Sequence, residues 1–299
     1  MSVVSVRREV TATRRLAGFV ALTKPRIIEL LLVTTLPTMV VAARGMPRVT
    51  LMLATLVGGT LAAGGANAIN MVVDRDIDAV MHRTRKRPLV TGVVTPGQAL
   101  VFAVALEVAA FAELWSAVNL LSAVLAVSAT LFYVFVYTLW LKRTSRQNIV
   151  IGGAAGAVPV LVGWASVRDT VGWAPVVLFA LMFLWTPPHF WALAIRYRED
   201  YRSVDVPMMP VVATFERTAK QIFGYTVLVA AVSLLFAWTA GMGPLYWVSA
   251  AVLGGVFLRY SWLLWREPTE ARAMKLFHWS ITYVTLLFVA MAADQLIFH

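Results

Sequence analysis

Long runs of apolar residues, separated by short polar connections, fill most of the chain from residue 27 to the end. Several runs approach the roughly 20 residues that a helix needs to cross the hydrocarbon core of a bilayer. We expect helices there because lipid offers backbone N–H and C=O groups no hydrogen-bond partners of its own. Nine runs can be marked, at residues 27–43, 51–73, 99–114, 120–141, 149–167, 171–191, 222–240, 245–265 and 276–298. The pattern predicts an all-α, polytopic membrane protein with nine transmembrane helices.

The composition of the chain agrees with this prediction. Hydrophobic residues make up 60% of the 299 positions and charged residues only 14%, whereas about a quarter of a soluble domain is charged. No low-complexity linker interrupts the apolar runs, so residues 1–299 are expected to form a single membrane domain, with residues 1–16 as a flexible cytoplasmic N-terminus. Cysteine is absent, which excludes disulfides, thiolate metal sites and cysteine nucleophiles.

The formal net charge of +11 is distributed unevenly along the chain. Nearly all basic residues lie before the first run or in every second connection, and only Arg44, Arg48 and Arg168 fall on the other side. The positive-inside rule therefore places the N-terminus in the cytoplasm and the C-terminus on the opposite side of the cell (plasma or inner) membrane. Most of the basic residues are explained by membrane topology, and the others could bind an anionic substrate. No nucleic acid is expected as a partner.

Asn70, Asp74 and Asp78 follow the second run at a spacing of four, which places them on one helical face. Two carboxylates at the end of a membrane helix are costly to desolvate. Mg²⁺ prefers one or two carboxylates together with phosphate oxygens and water, so this face predicts a metal–diphosphate site. Arg83 and Arg87 follow it. A solvated helix end, whose acids pair with its own arginines, is the alternative.

Two further clusters lie in connections on the same predicted side of the membrane. Lys142 and Arg143 would neutralise the charge of a leaving diphosphate, unless they are only a topology signal. Glu199 and Asp200 lie among arginines, as expected of a second metal–diphosphate lobe or of an ordinary charged loop. A transporter would be expected to place polar groups near the midplane of both halves. The one-sided distribution instead favours a site that opens to one side.

The sixth run contains Pro187-Pro188, which we expect to break or kink the helix. His189 follows at once, with Trp185 and Trp191 nearby. These side chains would suit contact with a flat aromatic substrate, and the histidine could ligate iron. The alternative is a hydrogen-bonded histidine in an aromatic-rich span.

The segment from Asn70 to Asp78 resembles the NxxxDxxxD signature of the UbiA-type intramembrane prenyltransferases. Within that superfamily, DIDAVMHRTRKRPLVTG, YTLWLKRTSRQNIVIGG, WTPPHFWALA and VPMMPVV resemble the protohaem IX farnesyltransferase family, and the likeness extends from residue 22 into the last run. The chain departs from the family at Asp205, where a small residue or glycine is usual. It also has Val204 where a second DxxxD motif would require aspartate.

The resemblance implies nine helices around a central cavity open to the cytoplasm, and Mg²⁺ as cofactor. It also implies transfer of a farnesyl group from farnesyl diphosphate to a vinyl group of haem B, with addition of water. The implied partners besides these substrates and the lipid bilayer are a haem A synthase or terminal oxidase assembly proteins. Two alternatives remain open: a prenyltransferase for an aromatic quinone precursor, and a non-enzymatic haem-handling protein or transporter.

The resemblance and the clusters together suggest roles for individual residues. The expected metal ligands are Asp74, Asp78, Asn70, Asp200 and Glu199. The expected diphosphate-binding residues are Asn70, Arg83, Arg87, Lys142, Arg143 and Arg198. Those expected to act directly in catalysis are Asp74, Asp78, Lys142 and Arg87. The expected haem contacts are His189, Trp185 and Trp191.

Overall fold

The computed structural model describes residues 11–298, without the side chains of residues 26–28 and 30–32. Helices make up most of it, and residues 11–298 contain no strand. In chain order the helices are α1 (Ala12–Leu22), α2 (Pro25–Ala43), α3 (Val49–Val73), α4 (Arg75–Val80), α5 (Pro96–Ala117), α6 (Leu120–Leu131), α7 (Lys142–Thr144), α8 (Asn148–Arg168), α9 (Trp173–Arg196), α10 (Arg198–Arg202), α11 (Met209–Val212), α12 (Phe215–Thr239), α13 (Pro244–Arg266) and α14 (Glu270–Phe298). A π-helical segment, Phe132–Leu141, joins α6 to α7.

Eight helices of the described chain are long and apolar enough to cross a bilayer. They are α3, α5, α8, α9, α12, α13, α14 and the continuous helix Leu120–Thr144, and they coincide with the second to ninth predicted runs. The first predicted run falls in α2, where Val33–Ala43 is a shorter apolar helix. The predicted all-α, multi-pass membrane fold is thereby confirmed, and the helix count is consistent with nine spans.

The spanning helices pack in a closed ring. Each one contacts the next along the chain, and α2 contacts both α3 and α14. Further contacts of α2 with α8 and of α9 with α14 bring opposite sides of the ring together. The ring therefore holds the ends of α3, α9 and the π-helical segment in fixed positions relative to one another.

Local chemistry explains where helices depart from the apolar runs. Helix α5 begins before its run because Thr95 and Gln98 form reciprocal side-chain-to-backbone hydrogen bonds of 3.3 and 3.2 Å, with Pro96 at the first helical position. In α9 the expected break is absent, since the helix continues through buried Pro187-Pro188 to Arg196. Neighbouring α8, α12 and α14 pack around this helix, and such packing allows membrane helices to tolerate proline.

Candidate active site

The structure brings Asn70, Asp74 and Asp78 onto one buried face. The backbone N–H of Asp74 donates to the carbonyl of Asn70, and that of Asp78 to the carbonyl of Asp74, both at 2.9 Å. The repeat of four residues thus continues across the boundary between α3 and α4. All three residues are at most 3% exposed, and Asn70 Nδ2 donates to Asp74 Oδ2 at 2.7 Å.

Each buried carboxylate forms an ion pair with a cation from a different element. Asp74 Oδ2 pairs with Lys142 Nζ at the end of the π-helical segment. Asp78 Oδ2 pairs with Arg87 in the connection after α4. The cations expected at a diphosphate thus neutralise the acids, which are buried rather than solvated. Only the Asp78–Arg87 pair corresponds to the alternative of a helix end paired with its own arginines.

Arg143 is engaged mainly with a neighbouring acid. Its two terminal nitrogens each donate to Asp76 at 2.7 Å, and its Nη2 atom lies 4.0 Å from Asp74 Oδ1. The hydrogen bonds from the Arg143 guanidinium lower the pKa of Asp76 to about 2. Since Asp76 is exposed, this pair marks the rim of the buried face.

Lys24 is a member of the site that the sequence analysis did not identify. Its Nζ atom donates to Asn70 Oδ1 at 2.9 Å. The pKa of Lys24 is lowered to about 7, first because the ammonium is desolvated and then because Arg87 and Lys142 lie close to it. The residue stands in the left-handed region at φ 52°, immediately before Pro25 at the start of α2. A lysine directly before a helix-starting proline is the sequence signal that could have identified it.

The π-helical segment contributes a second overlooked residue. Thr138 Oγ1 accepts from Asn70 Nδ2 at 3.2 Å and donates to the carbonyl of Tyr133 at 2.8 Å, five residues earlier. π-Helical turns occur often at functional sites, and this one directs Thr138 and Lys142 toward the same helix. Neither its register nor its contacts can be read from an apolar sequence run.

Two stacked tyrosines lie on the same π-helical segment. The rings of Tyr133 and Tyr137 are 5.4 Å apart with an interplanar angle of 17°. A Cβ atom at Gly152 would lie 2.3 Å from Tyr137 Cδ2. Gly152 of α8 therefore makes room for this ring.

The acids of the third cluster have protein partners in this structure. Asp200 accepts the backbone N–H groups of His82 and Arg83 at 3.3 and 3.2 Å, which ties the connection after α4 to α10. Glu199 accepts two hydrogen bonds from Arg202, at 2.8 and 2.9 Å. Arg198, of the same helix, has a buried Nε atom without a hydrogen-bond partner.

Asp205 has a backbone conformation that favours glycine. Its φ is 53°, in the left-handed region. Glycine adopts this conformation without a steric penalty, and aspartate is among the few other residues that tolerate it. Aspartate at position 205 is therefore compatible with the backbone conformation that glycine would adopt there.

His189 is enclosed in the packing between α9 and α14. Its ring stacks on Trp185 at 4.3 Å and on Phe277 at 4.8 Å, and its Nδ1 atom lies 2.7 Å from Ser280 Oγ. Trp191, fully buried, makes an edge contact with Tyr225 at 5.5 Å. Of the two tryptophans expected at a haem, Trp185 thus lies against His189 and Trp191 packs elsewhere, and the role of all three residues stays a prediction.

The buried face meets the requirements of a Mg²⁺–phosphate site. Asp74 Oδ1 is buried and has no hydrogen-bond partner, so it is available as a ligand. Within residues 11–298 no three His, Asp or Glu side chains are grouped as a complete metal site. Mg²⁺ is usually held by one or two carboxylates and completed by substrate phosphates and water, which suits a pair of carboxylates.

Comparison with protein families gives a match over most of the chain. Residues 31–286 match the model described as the UbiA prenyltransferase family. A protein named protoheme IX farnesyltransferase from Parafrankia sp. (strain EAN1pec) is 53% identical over 289 residues, which is 96% of this chain and 92% of that protein. A protein of the same name from Frankia alni is 52% identical over 95% of this chain and 99% of its own length.

Solved structures show the same fold at low sequence identity. A structure described as digeranylgeranylglyceryl phosphate synthase superposes with a TM-score of 0.77 at 18% identity, over 94% of this chain and 98% of its own. A UbiA homolog from Archaeoglobus fulgidus, bound to GPP and Mg²⁺, gives a TM-score of 0.66 at 15% identity, over 92% and 99% of the two chains.

Proposed function

This chain belongs to the UbiA prenyltransferase family, and we propose that it transfers a farnesyl group from farnesyl diphosphate to a vinyl group of haem B. The bond between farnesyl C1 and the diphosphate oxygen breaks, and C1 bonds to the terminal vinyl carbon. Water captures the resulting cation and releases a proton, giving haem O and diphosphate. Relatives half identical over nearly the whole chain carry the name protoheme IX farnesyltransferase, which supports haem as the acceptor.

The observation that carries the proposal is the buried carboxylate pair with its ring of cations. Asp74 and Asp78 would hold Mg²⁺, and Asn70 orients Asp74 through the 2.7 Å hydrogen bond. When bound, the metal supplies positive charge that stabilises the leaving diphosphate. The solved UbiA homolog bound to GPP and Mg²⁺ supports this assignment. Asp200 and Glu199 are proposed as further ligands, and each would have to leave its present partners.

The cations of the site bind the diphosphate and stabilise the charge that develops on it. Lys142, Arg87 and Lys24 lie on three different elements around the acids. Charge-assisted hydrogen bonds from such groups are short and about twice as strong as neutral ones. Because the donors are already fixed by the fold, they stabilise the leaving group without reorganising at the moment of reaction.

The remaining groups would protect the allylic cation. The stacked rings of Tyr133 and Tyr137 stand on the segment that carries Thr138 and Lys142. Aromatic faces attract cations by about 0.5–2 kcal/mol, more in a desolvated site. Burial of Asp74 and Asp78 excludes bulk water, which would otherwise hydrolyse the farnesyl cation.

The orientation of the protein in its membrane is also a proposal. We place it in the cell membrane, with the N-terminus in the cytoplasm and the C-terminus on the other side. The positive-inside distribution of basic residues supports this. The site at the end of α3 would then open toward the cytoplasm.

The proposal is tested by incubating membranes that contain the protein with haem B, farnesyl diphosphate and Mg²⁺, followed by mass spectrometry. Haem O should form, and membranes with the Asp74→Asn variant should form none. A parallel reaction replaces haem B with 4-hydroxybenzoate. Prenylated hydroxybenzoate without haem O would establish the quinone-precursor alternative, and haem binding without diphosphate release would establish a haem-handling protein.

A further inference from the structure

Helix α1 is too short to cross a bilayer, and it packs against the connection that leads into α5. Its 11 residues are about half of the roughly 20 that a spanning helix needs. A Cβ atom at Gly18 would lie 2.9 Å from Val94 Cγ2 and 3.0 Å from Val93 Cγ1. Leu22, four residues after Gly18, is fully buried. The face that carries Gly18 and Leu22 is therefore the face that packs on the protein.

The opposite face of α1 is apolar and exposed. Leu16 and Val20 are four residues apart, so they share a face, and they are 67% and 53% exposed. Each is two residues from Gly18, which places it about 200° around the helix from the packed face. Because α1 is not one of the eight spanning helices, this apolar surface is additional to the lipid-facing surface of the ring.

Contacts at the end of α1 fix its direction relative to the membrane. The carbonyl of Thr23 accepts a hydrogen bond from Asn67 Nδ2 at 3.1 Å, and a Cβ atom at Gly64 would lie 3.2 Å from Thr23 Cγ2. Asn67 and Gly64 both lie in the interior of the spanning helix α3. Since Gly18 lies at a connection and Thr23 lies within the bundle, α1 runs inward from the membrane surface, and its first residues lie nearest to that surface.

The first turn of α1 carries two exposed cations, Arg14 and Arg15. The sequence of α1 contains no acid, and within residues 11–298 neither arginine forms an ion pair with a carboxylate. A groove of about 360 Å³ begins at this turn and is lined by Ala12, Arg15, Leu16 and Phe19. A cation at the surface thus adjoins apolar side chains, and this combination is complementary to the anionic headgroup and acyl chain of a lipid.

We propose that α1 is an interfacial helix that binds an anionic phospholipid. Arg14 and Arg15 donate charge-assisted hydrogen bonds to the headgroup phosphate, and Leu16 and Val20 contact the acyl chains. Interfacial helices of this kind bury an apolar face at the boundary between headgroups and chains. A zwitterionic headgroup fits less well, because its ammonium group repels the second arginine. Since α1 leads into Lys24, the bound lipid lies on the outer side of the segment that supplies a cation to the carboxylate site.

The test places a fluorescent dye on the exposed face of α1 and measures which lipid lies next to it. Because the chain contains no cysteine, Val20→Cys creates a unique labelling site, and Leu16→Cys is a second position if the first variant folds poorly. The protein is placed, one copy per nanodisc, in a fixed mixture of phosphatidylcholine and phosphatidylglycerol. Bromine, which quenches the dye, is carried either by the phosphatidylglycerol or by an equal amount of the phosphatidylcholine. Brominated phosphatidylglycerol should quench about twice as strongly, since each arginine near the surface attracts anionic lipid by more than the thermal energy. This preference should fall as the ionic strength rises.

Two double variants, each in the labelled background, separate the arginines of α1 from the general basic charge of the protein. In the Arg14→Gln, Arg15→Gln variant the two brominated lipids should quench equally. The matched control is Arg146→Gln, Arg217→Gln, which removes two exposed arginines from other parts of the chain and should keep the preference. Equal quenching without these substitutions, or an unchanged preference in the Arg14→Gln, Arg15→Gln variant, would overturn the proposal. Absence of quenching by either lipid would also overturn it, because another segment of the chain would then cover the face.

Discussion

Replacing Lys24 with methionine tests whether this cation, found only in the structure, takes part in diphosphate binding. Methionine keeps an unbranched apolar stem and removes the ammonium, which donates to Asn70 Oδ1 at 2.9 Å. Hydrogen bonds to charged groups contribute about 1.5–3 kcal/mol. Because the pKa of Lys24 is lowered to about 7, the ammonium is only partly protonated near neutral pH, which places the expected loss near the lower value. Since about 1.4 kcal/mol corresponds to a factor of ten, kcat/KM for farnesyl diphosphate should fall about tenfold.

The assay measures initial rates of haem O formation at saturating haem B and varied farnesyl diphosphate. Arg75→Met is the matched control, because Arg75 is exposed at the start of α4 and has the same charge. The melting temperature of Lys24→Met should change little. Loss of the bond to Asn70 lowers stability, whereas removal of a cation crowded by Arg87 and Lys142 raises it. Equal kcat/KM values for Lys24→Met and Arg75→Met would refute the reasoning.

Three further variants address other parts of the site. Asp78→Asn should abolish turnover while the protein remains inserted and monodisperse in detergent, and near-normal haem O formation would remove Asp78 from the metal site. His189→Ala should impair haem binding, measured from the Soret band, more than farnesyl diphosphate binding. Ser280→Ala removes the hydroxyl 2.7 Å from His189 Nδ1 and keeps the imidazole, so it separates loss of this hydrogen bond from loss of the ring. Equal damage to both substrates in His189→Ala, with a lowered melting temperature, would make His189 a core residue. Gly152→Ala should cost about 1–3 kcal/mol of stability through overpacking against Tyr137, and this loss should shrink in a Tyr137→Ala background.

The membrane fold was largely predictable because its physical cause lies in the sequence itself. An apolar run of sufficient length has few alternatives to a helix in lipid, and each predicted run coincides with a helix. The ends were less predictable, since they depend on side-chain caps such as Thr95 and on packing. The Pro187-Pro188 pair illustrates the effect of packing. Contacts with the neighbouring helices, rather than the helix propensity of proline, determine that α9 continues through this pair.

The candidate site was predictable where its residues are close in sequence. Asn70, Asp74 and Asp78 share a face because helical geometry fixes side chains four residues apart. Lys24 reaches the same face from 46 residues away, and Thr138 from 68 residues away. Contacts of that range depend on how the helices associate, and a single sequence does not record them.

The charges of the buried face indicate which ligand its acids and basic residues can accept together. Two carboxylates stand among three cations, Lys24, Arg87 and Lys142, so the side chains of the face carry an excess of positive charge when all three cations are protonated. The crowding of these cations lowers the pKa of Lys24. A divalent metal alone would increase the excess, and a diphosphate alone would repel the carboxylates. A metal–diphosphate complex, which keeps a net negative charge, brings a cation to the acids and phosphate oxygens to the basic residues. The charge balance of the site therefore favours binding of metal and diphosphate as one unit.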